Sequence, residues 1–352
     1  MQPGQTRSMA LNNGTFQDEA QTYDALLIVS FGGPEGTDDI LPFMENVLRG
    51  RNIPLERIEE VGEHYKLFDG VSPLNAQNRA LMVALQTEFD AYNLKLPIYW
   101  GNRNWHPLLA DAMQQMADDG IKRALALFTS AYSSYSSCRQ YQEDIARARA
   151  EVGPDAPEVD RLRAFFNHPG FVEPCVENVR AALDQIPEKR RPAAHIAFTA
   201  HSLPASMARN CAYEEQVGET CRLIADRLGR ENWQLVYQSR SGPPHQPWLE
   251  PDILDHLREL KDRGVEDVVI VPVGFISDHM EVIYDLDTEG RQVSEEIDLN
   301  MIRAATVGTH PAFISMIREL IIERMTENPV RRCLGIYGSG HDVCAANCCL
   351  PG

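Results

Sequence analysis

The sequence predicts an α/β protein of two similar Rossmann-like (doubly wound) domains, each a four-stranded, mainly parallel sheet flanked by helices. Three observations carry this. The chain has 352 residues, which at roughly 100–200 residues per domain makes about two domains. Eight short apolar runs alternate with longer helical patterns, the signature of right-handed βαβ crossovers. The second half also echoes the first. Gly120-Ile-Lys-Arg-Ala-Leu-Ala-Leu-Phe precedes Asn167-His168-Pro169-Gly170-Phe171, and Gly264-Val-Glu-Asp-Val-Val-Ile-Val precedes Thr309-His310-Pro311-Ala312-Phe313, at offsets of 144 and 142 residues. Tyr99…Arg103 and Tyr237…Arg240 likewise follow the second strand of each half.

In chain order, strands are expected at Ala25–Val29, Leu96–Trp100, Ala124–Phe128, Leu162–Phe166, Ile196–Thr199, Gln234–Tyr237, Val268–Val273 and Ile302–Val307. Helical periodicity marks Leu81–Tyr92, Leu108–Met116, Cys138–Val152, Val172–Ile186, Glu214–Leu228, Ile253–Asp262 and Phe313–Met325. The polar stretch 1–22, with no apolar h-region, reads as a disordered leader rather than a signal peptide. The first domain is then 23–187 and the second 193–312, joined by Glu188-Lys-Arg-Arg-Arg-Pro192. Residues 313–352 form a C-terminal helix and a cysteine-rich tail expected to pack back on the first domain.

A hydrophobic fraction of 43% with 24% charged residues suits a folded globular chain. A net charge of −18 gives no basic footprint for nucleic acid or anionic membrane. No apolar run reaches the roughly 18–20 residues of a membrane span. The expectation is a soluble, cytoplasmic protein with no nucleic-acid partner. Without a secretion signal, its eight cysteines suggest metal or redox chemistry rather than a disulfide framework.

Open α/β sheets bind ligands beyond the carboxyl ends of their strands, so the segments there are the candidates. Ser30-Phe31-Gly32-Gly33-Pro34 follows the first strand; its glycines allow close backbone approach, but it is no dinucleotide or phosphate loop. Thr199-Ala200-His201-Ser202-Leu203-Pro204 follows the fifth and lacks a nucleophile elbow. After the seventh strand, Glu281, Asp285 and Glu289 stand at i, i+4 and i+8, one acidic stripe on a helix. Like charges at that spacing repel, so stability does not explain them; a solvated face is the plain alternative. The functional reading is a ladder conducting a divalent cation toward His201. An imidazole and a carboxylate opposed across a cleft can bind Fe²⁺ or take protons from a nitrogen heterocycle. Metal insertion into a tetrapyrrole needs both.

From Asp24 to about Met325 the sequence resembles the ferrochelatase family. The matching motifs are Ser30-Phe-Gly-Gly-Pro, Gly70-Val-Ser-Pro-Leu74, Phe198-Thr-Ala-His-Ser-Leu-Pro204, Tyr237-Gln-Ser-Arg-Ser-Gly-Pro-Pro244 and Phe275-Ile-Ser-Asp-His-Met-Glu-Val-Ile-Tyr-Asp-Leu-Asp287. The resemblance implies a chelatase-like fold and a lyase that inserts Fe²⁺ into a porphyrin in haem biosynthesis. His201 and Glu281 are then the central metal and proton-transfer residues, with Asp285 and Glu289 lining the iron path. Ser133-Ser-Tyr-Ser-Ser-Cys-Arg-Gln-Tyr141 resembles the actinobacterial type, which acts on coproporphyrin. Several bacterial relatives carry Tyr where this chain has Phe31, so no axial phenolate is available here.

Coproporphyrin III has four propionates, and Arg49 and Arg51 offer cations for them, with Ser72, Arg103 and Tyr132 as further hydrogen-bonding groups and Phe31 beside the ring. That substrate is favoured over protoporphyrin IX; a cobalt or nickel chelatase and a porphyrin-binding protein are the alternatives. The partners implied are the porphyrin, Fe²⁺ and, transiently, the next haem-pathway enzyme. Related enzymes also carry a [2Fe–2S] cluster on one internal and three C-terminal cysteines. Here Cys344, Cys348 and Cys349 are the favoured tail ligands, Cys138 or Cys175 the internal one, and Cys333 a substitute for one tail residue. Zinc is the competing metal; Cys211 and Cys221 are expected to be inert.

Overall fold

The computed structural model describes residues 22–49, 62–242 and 245–352. Of the expected leader only Thr22 falls within it. The strands are β1 (Ala25–Ser30), β2 (Ile98–Asn102), β3 (Arg123–Phe128), β4 (Glu158–Arg161), β5 (His195–His201), β6 (Trp233–Gln238), β7 (Asp267–Val271) and β8 (Asn300–Arg303). They form two all-parallel sheets of the same order, β2-β1-β3-β4 and β6-β5-β7-β8. The central strands read as continuous apolar runs because helices cover both faces; every residue of β1 is buried.

Two of the four edge strands, the last of each half, depart most from expectation. β4 lies at Glu158–Arg161 rather than at Leu162–Phe166, and β8 shares only two residues with the expected Ile302–Val307. In each case a stretch that begins and ends on a polar residue makes the ladder, and the chain after it enters the core as irregular structure. Leu162, Phe165, Phe166, Ala304 and Val307 are all buried. Apolar content marks burial, while ladder pairing is a property of the neighbouring strand.

The repeated His-Pro-x-Phe is a helix start. His168 and His310 sit at the N-caps of the helices Pro169–Leu183 and Pro311–Met325, and their Nδ1 atoms accept from the N–H of Gly170 and Ala312. Proline follows at the first helical position, where no N–H is needed. Phe171 and Phe313 are fully buried and meet with ring centroids 6.3 Å apart. The helix Pro311–Met325 lies against the helices Leu74–Ala91 and Pro169–Leu183, held by Arg318 and Ser315 donating to Glu88 at 2.9 Å.

One apolar core runs through both halves, and hydrogen bonds cross between them. The Tyr132 hydroxyl donates to the Val273 carbonyl at 2.9 Å, the Ser133 N–H to Gln216 at 2.7 Å, and the Asp278 N–H to Gln77 at 3.0 Å. Arg190, in the expected linker, donates to buried Asp267. The two halves are thereby tied to each other.

Candidate functional site

His201 is the last residue of β5, and Glu281 stands in the first turn of the helix Met280–Tyr284 that follows β7. Gly274 makes this approach possible, because a Cβ there would lie 2.7 Å from Ala200 Cα. His201 Nε2 faces Glu281 Oε1 at 3.6 Å. His201 Nδ1 contacts the Ser202 carbonyl. A carbonyl only accepts, so Nδ1 carries the hydrogen and Nε2 is the working nitrogen. The Ser202 hydroxyl donates to the Leu249 carbonyl instead of approaching the imidazole.

Burial alone would depress the His201 pKa, but the Glu281 charge, its hydrogen bond and the Ser202 carbonyl raise it to about 9. Burial pushes the Glu281 carboxyl up and the His201 charge outweighs it, bringing that carboxyl to about 2. Asp285 differs. Burial chiefly, aided by the Glu281 charge, raises it to about 7 although Ser239 and Gln238 donate to it. Gln238 also donates to the Glu281 backbone carbonyl at 2.9 Å, so one amide spans both turns.

The helix carrying the acidic stripe is not a plain α-helix. Residues Asp285–Gly290 form a π-turn between the α-helical segments Met280–Tyr284 and Arg291–Glu296. On a regular α-helix Glu289 would drift about 80° from Glu281 over eight residues. The wider π-turn advances fewer degrees per residue and takes back part of that drift. Glu289 is half-buried.

Three neighbours of this site were not singled out in the sequence. His279 places Nδ1 3.9 Å from Glu281 Oε2, with the Phe275 ring edge-on at 4.6 Å and burial lowering its pKa. Gln238 and Ser239 hold Asp285, and Ser239 adopts a left-handed φ of 63°, a strained conformation that clusters at functional sites. All three lie inside the matching motifs, but only their tertiary partners mark them. Asp278 and Asp287 are tied behind the turn by Arg303, at 3.1 and 2.7 Å.

On the first half, Phe31 follows β1 and is 37% exposed, propped edge-on against Phe43 at 6.3 Å. Three residues expected near the ring are engaged by protein groups. Tyr132 is 2% exposed with its hydroxyl on Val273, and so joins the two halves rather than lining a surface. Ser72 is buried beneath the glycine loop, where a Cβ on Gly33 would come within 2.5 Å of its own Cβ. The Arg103 guanidinium is committed to Asp144 at 2.5 Å, to Gln140 and to the face of Tyr141. Each of these polar groups found a protein partner, which residue type alone does not reveal. Arg49 is exposed beside Asn46. Arg51 lies outside the described residues.

The tail cysteines form a second group. Gln142 Nε2 stands 3.6 Å from both Cys138 and Cys344 sulfurs, and the Cys348 and Cys349 sulfurs are 3.5 Å apart. His341, Cys344 and Cys348 have donor atoms within 4.8 Å of one another. Thiol hydrogen bonds from Cys138 and Cys348 hold the Cys344 pKa down. Cys138, in the π-turn Tyr135–Arg139, is thus the internal cysteine that meets the tail. Cys175 is instead buried in the core shared by the halves, and Cys333 is exposed, so neither joins the group. Local spacing had not separated these candidates, because the meeting depends on where the tail folds back.

Comparison with known proteins gives the family. The family model described as ferrochelatase matches residues 23–325. A ferrochelatase of Rhodopirellula baltica is 55% identical over 336 residues, covering 94% of this chain and 95% of its own length. A coproporphyrin III ferrochelatase of Streptomyces coelicolor is 52% identical, covering 94% of each. The solved sirohydrochlorin chelatase of Bacillus subtilis subspecies spizizenii with cobalt is 12% identical over 86% of this chain and 96% of its own, at a TM-score of 0.48. With a family match over residues 23–325 and relatives above half identity, the chain belongs to the ferrochelatase family.

Proposed function

We propose that this protein inserts Fe²⁺ into coproporphyrin III, releasing the two pyrrole N–H protons and yielding the iron porphyrin. The observation that carries this is the His201–Glu281 pair, facing at 3.6 Å across the strand ends in a chain of the ferrochelatase family. At neutral pH the pair rests as imidazolium and carboxylate, given pKa values of about 9 and 2. His201 must lose that proton before Nε2 can accept one from a pyrrole. A divalent substrate ion arriving on the Glu281–Asp285 side repels the imidazolium proton and favours the free base. Asp285, titrating near neutrality, can take the proton outward. Metal delivery and base formation are thereby coupled. A rigid cleft that bends the macrocycle exposes its nitrogen lone pairs, strain drawn from binding energy remote from the metal.

Coproporphyrin III is favoured by the Streptomyces relatives of that name and by exposed Arg49, a cation for one of four propionates. Cys138, Cys344, Cys348 and Cys349 supply four thiols, the usual donor number for a [2Fe–2S] cluster: Gln142 stands 3.6 Å from the Cys138 and Cys344 sulfurs, the Cys348 and Cys349 sulfurs are 3.5 Å apart, and His341 groups with Cys344 and Cys348. In that position a cluster would supply a redox-sensitive tie between the tail and the first half. The same reading includes transient contact with the enzyme that consumes the product. It also places the reaction in the cytoplasm, where eight unpaired cysteines suit a reducing compartment.

Anaerobic incubation with Fe²⁺ and each porphyrin, followed by absorption, tests the function. Coproporphyrin III should show the higher kcat/KM, and a preference for protoporphyrin IX would refute the substrate assignment. His201→Ala should lower turnover by at least about 100-fold; turnover within a few-fold of wild type would remove His201 from this role.

A further inference from the structure

Cys138 sits in an apolar surround of Phe128, Tyr141 and Ile145. One charged side chain reaches its sulfur. Arg161 closes β4, is 9% exposed, and donates Nη1 to Cys138 Sγ at 2.8 Å. Its other nitrogens reach the tail: Nη2 donates to the His341 carbonyl at 2.8 Å and Nε to the Asp342 carbonyl at 3.2 Å. The planar guanidinium can do this because its donors point in a fixed fork and its charge is permanent. The two carbonyls lie just upstream of Cys344. Asp342 is in turn held by Arg324 at 3.3 Å and by Arg331, so the loop Arg161 grips is anchored from both sides. Arg139 adds a second cation, donating to the carbonyls of Ala346 and Cys348 at 2.7 and 3.1 Å.

We infer that Arg161 is the positioning residue of the cysteine site: it donates to the Cys138 sulfur, brings the loop before Cys344 to the same point, and raises the reduction potential of the cluster bound there. The inference rests on the reading of these cysteines as [2Fe–2S] ligands. A four-thiolate cluster carries net negative charge, which grows on reduction, so a buried cation hydrogen-bonded to a ligand sulfur favours the reduced state. It also gives the polar end of β4 a purpose: an edge strand finishes in arginine where the ladder meets the tail.

The test compares the wild-type holoprotein with Arg161→Gln and Arg161→Lys, all purified anaerobically. Iron and acid-labile sulfide, the midpoint potential by dye-mediated titration with dithionite, and cluster loss to an iron chelator are read together. Arg161→Gln should shift the potential downward and lose its cluster about 10-fold faster or more. Arg161→Lys should keep most of the potential, because the charge remains, yet lose the cluster faster, because one ammonium cannot span three acceptors. An unshifted potential and a loss rate within two-fold of wild type in Arg161→Gln would overturn the inference while the cluster stands. An Arg161→Gln protein isolated without a cluster but with a native melting curve supports the positioning role, and the potential of Arg161→Lys then decides the electrostatic one. Wild-type protein that is colourless, or that carries one zinc, overturns the cluster reading itself and the inference with it.

Discussion

His201 offers Nε2 to Glu281 because Nδ1 is already bound to the Ser202 carbonyl. This fixes the sign of the pH dependence. The folded-state pKa of about 9 lies above the ordinary histidine value near 6.5, so the free base becomes more abundant as pH rises. Porphyrin kcat/KM should increase between pH 6 and 9, and Glu281→Gln should move the rise to lower pH by removing the charge that holds the proton. The stability contribution of the histidine runs the opposite way: it is complete below about pH 6.5 and lost as pH passes through about 9. The Glu281 contribution is present above about pH 4.5 and lost as pH falls toward 2. Urea denaturation of wild type and His201→Ala should therefore differ more at pH 6 than at pH 10. Asp285 is opposite in sign, since an acid raised to about 7 destabilises the fold above that pH. Asp285→Asn should unfold at a higher temperature than wild type at pH 8, with the gap closing below pH 4, and should raise the KM for Fe²⁺. An unchanged pH profile in Glu281→Gln would contradict the coupling of the pair.

At the scale of elements, the π-turn Asp285–Gly290 is the feature with most bearing on the metal path. The Thr288 hydroxyl donates to the Ile283 carbonyl five residues back, the reach of a π-turn. Thr288→Val removes that bond, and a segment that then closes as a regular α-helix with all eight steps kept carries Glu289 about 80° from Glu281. Fe²⁺ kinetics should weaken by up to about 100-fold while porphyrin binding, followed by fluorescence quenching, stays near wild type. The glycine loop after β1 makes a steric prediction. Gly33→Ala sets a methyl 2.5 Å from Ser72 Cβ, and overpacking of that kind costs about 1–3 kcal/mol, to be seen as a lower denaturant midpoint. The acidic spacing, the glycine pair and the histidine at a strand end were all visible in sequence. The π-turn was not, because the hydrophobic period of a short helix does not reveal one widened turn.

Across the whole molecule, the C-terminal segment is bound to the first half through buried charge. Arg163 and Glu323 are 1% and 7% exposed and pair at 2.7 and 2.9 Å, and Arg163 also donates to the Arg332 carbonyl. Removing one partner leaves the other charge buried, so Glu323→Ala should cost about 3–5 kcal/mol, measured by chemical denaturation. Tyr132→Phe removes a hydroxyl bonded across the halves and leaves the Val273 carbonyl unpaired, a loss of about 1–3 kcal/mol. Turnover of that variant should be little changed at temperatures where it stays folded, because its hydroxyl faces the other half and not the ring.

The sequence by itself determined the repeated α/β architecture, since alternation of apolar runs with helical periods is local, and the offset between the two His-Pro-x-Phe motifs counts along the chain. It also determined that His201 and Glu281 end up together, because strand ends of a parallel sheet share one edge. Tertiary structure alone decided the edge strands, where β4 and β8 take their register from β3 and β7 rather than from their own polar residues. It decided that Cys138 and not Cys175 meets the tail, and that Arg103, Ser72 and Tyr132 bond to protein. Those outcomes rest on which distant group arrives beside a side chain, and a polar group takes the partner that the fold delivers.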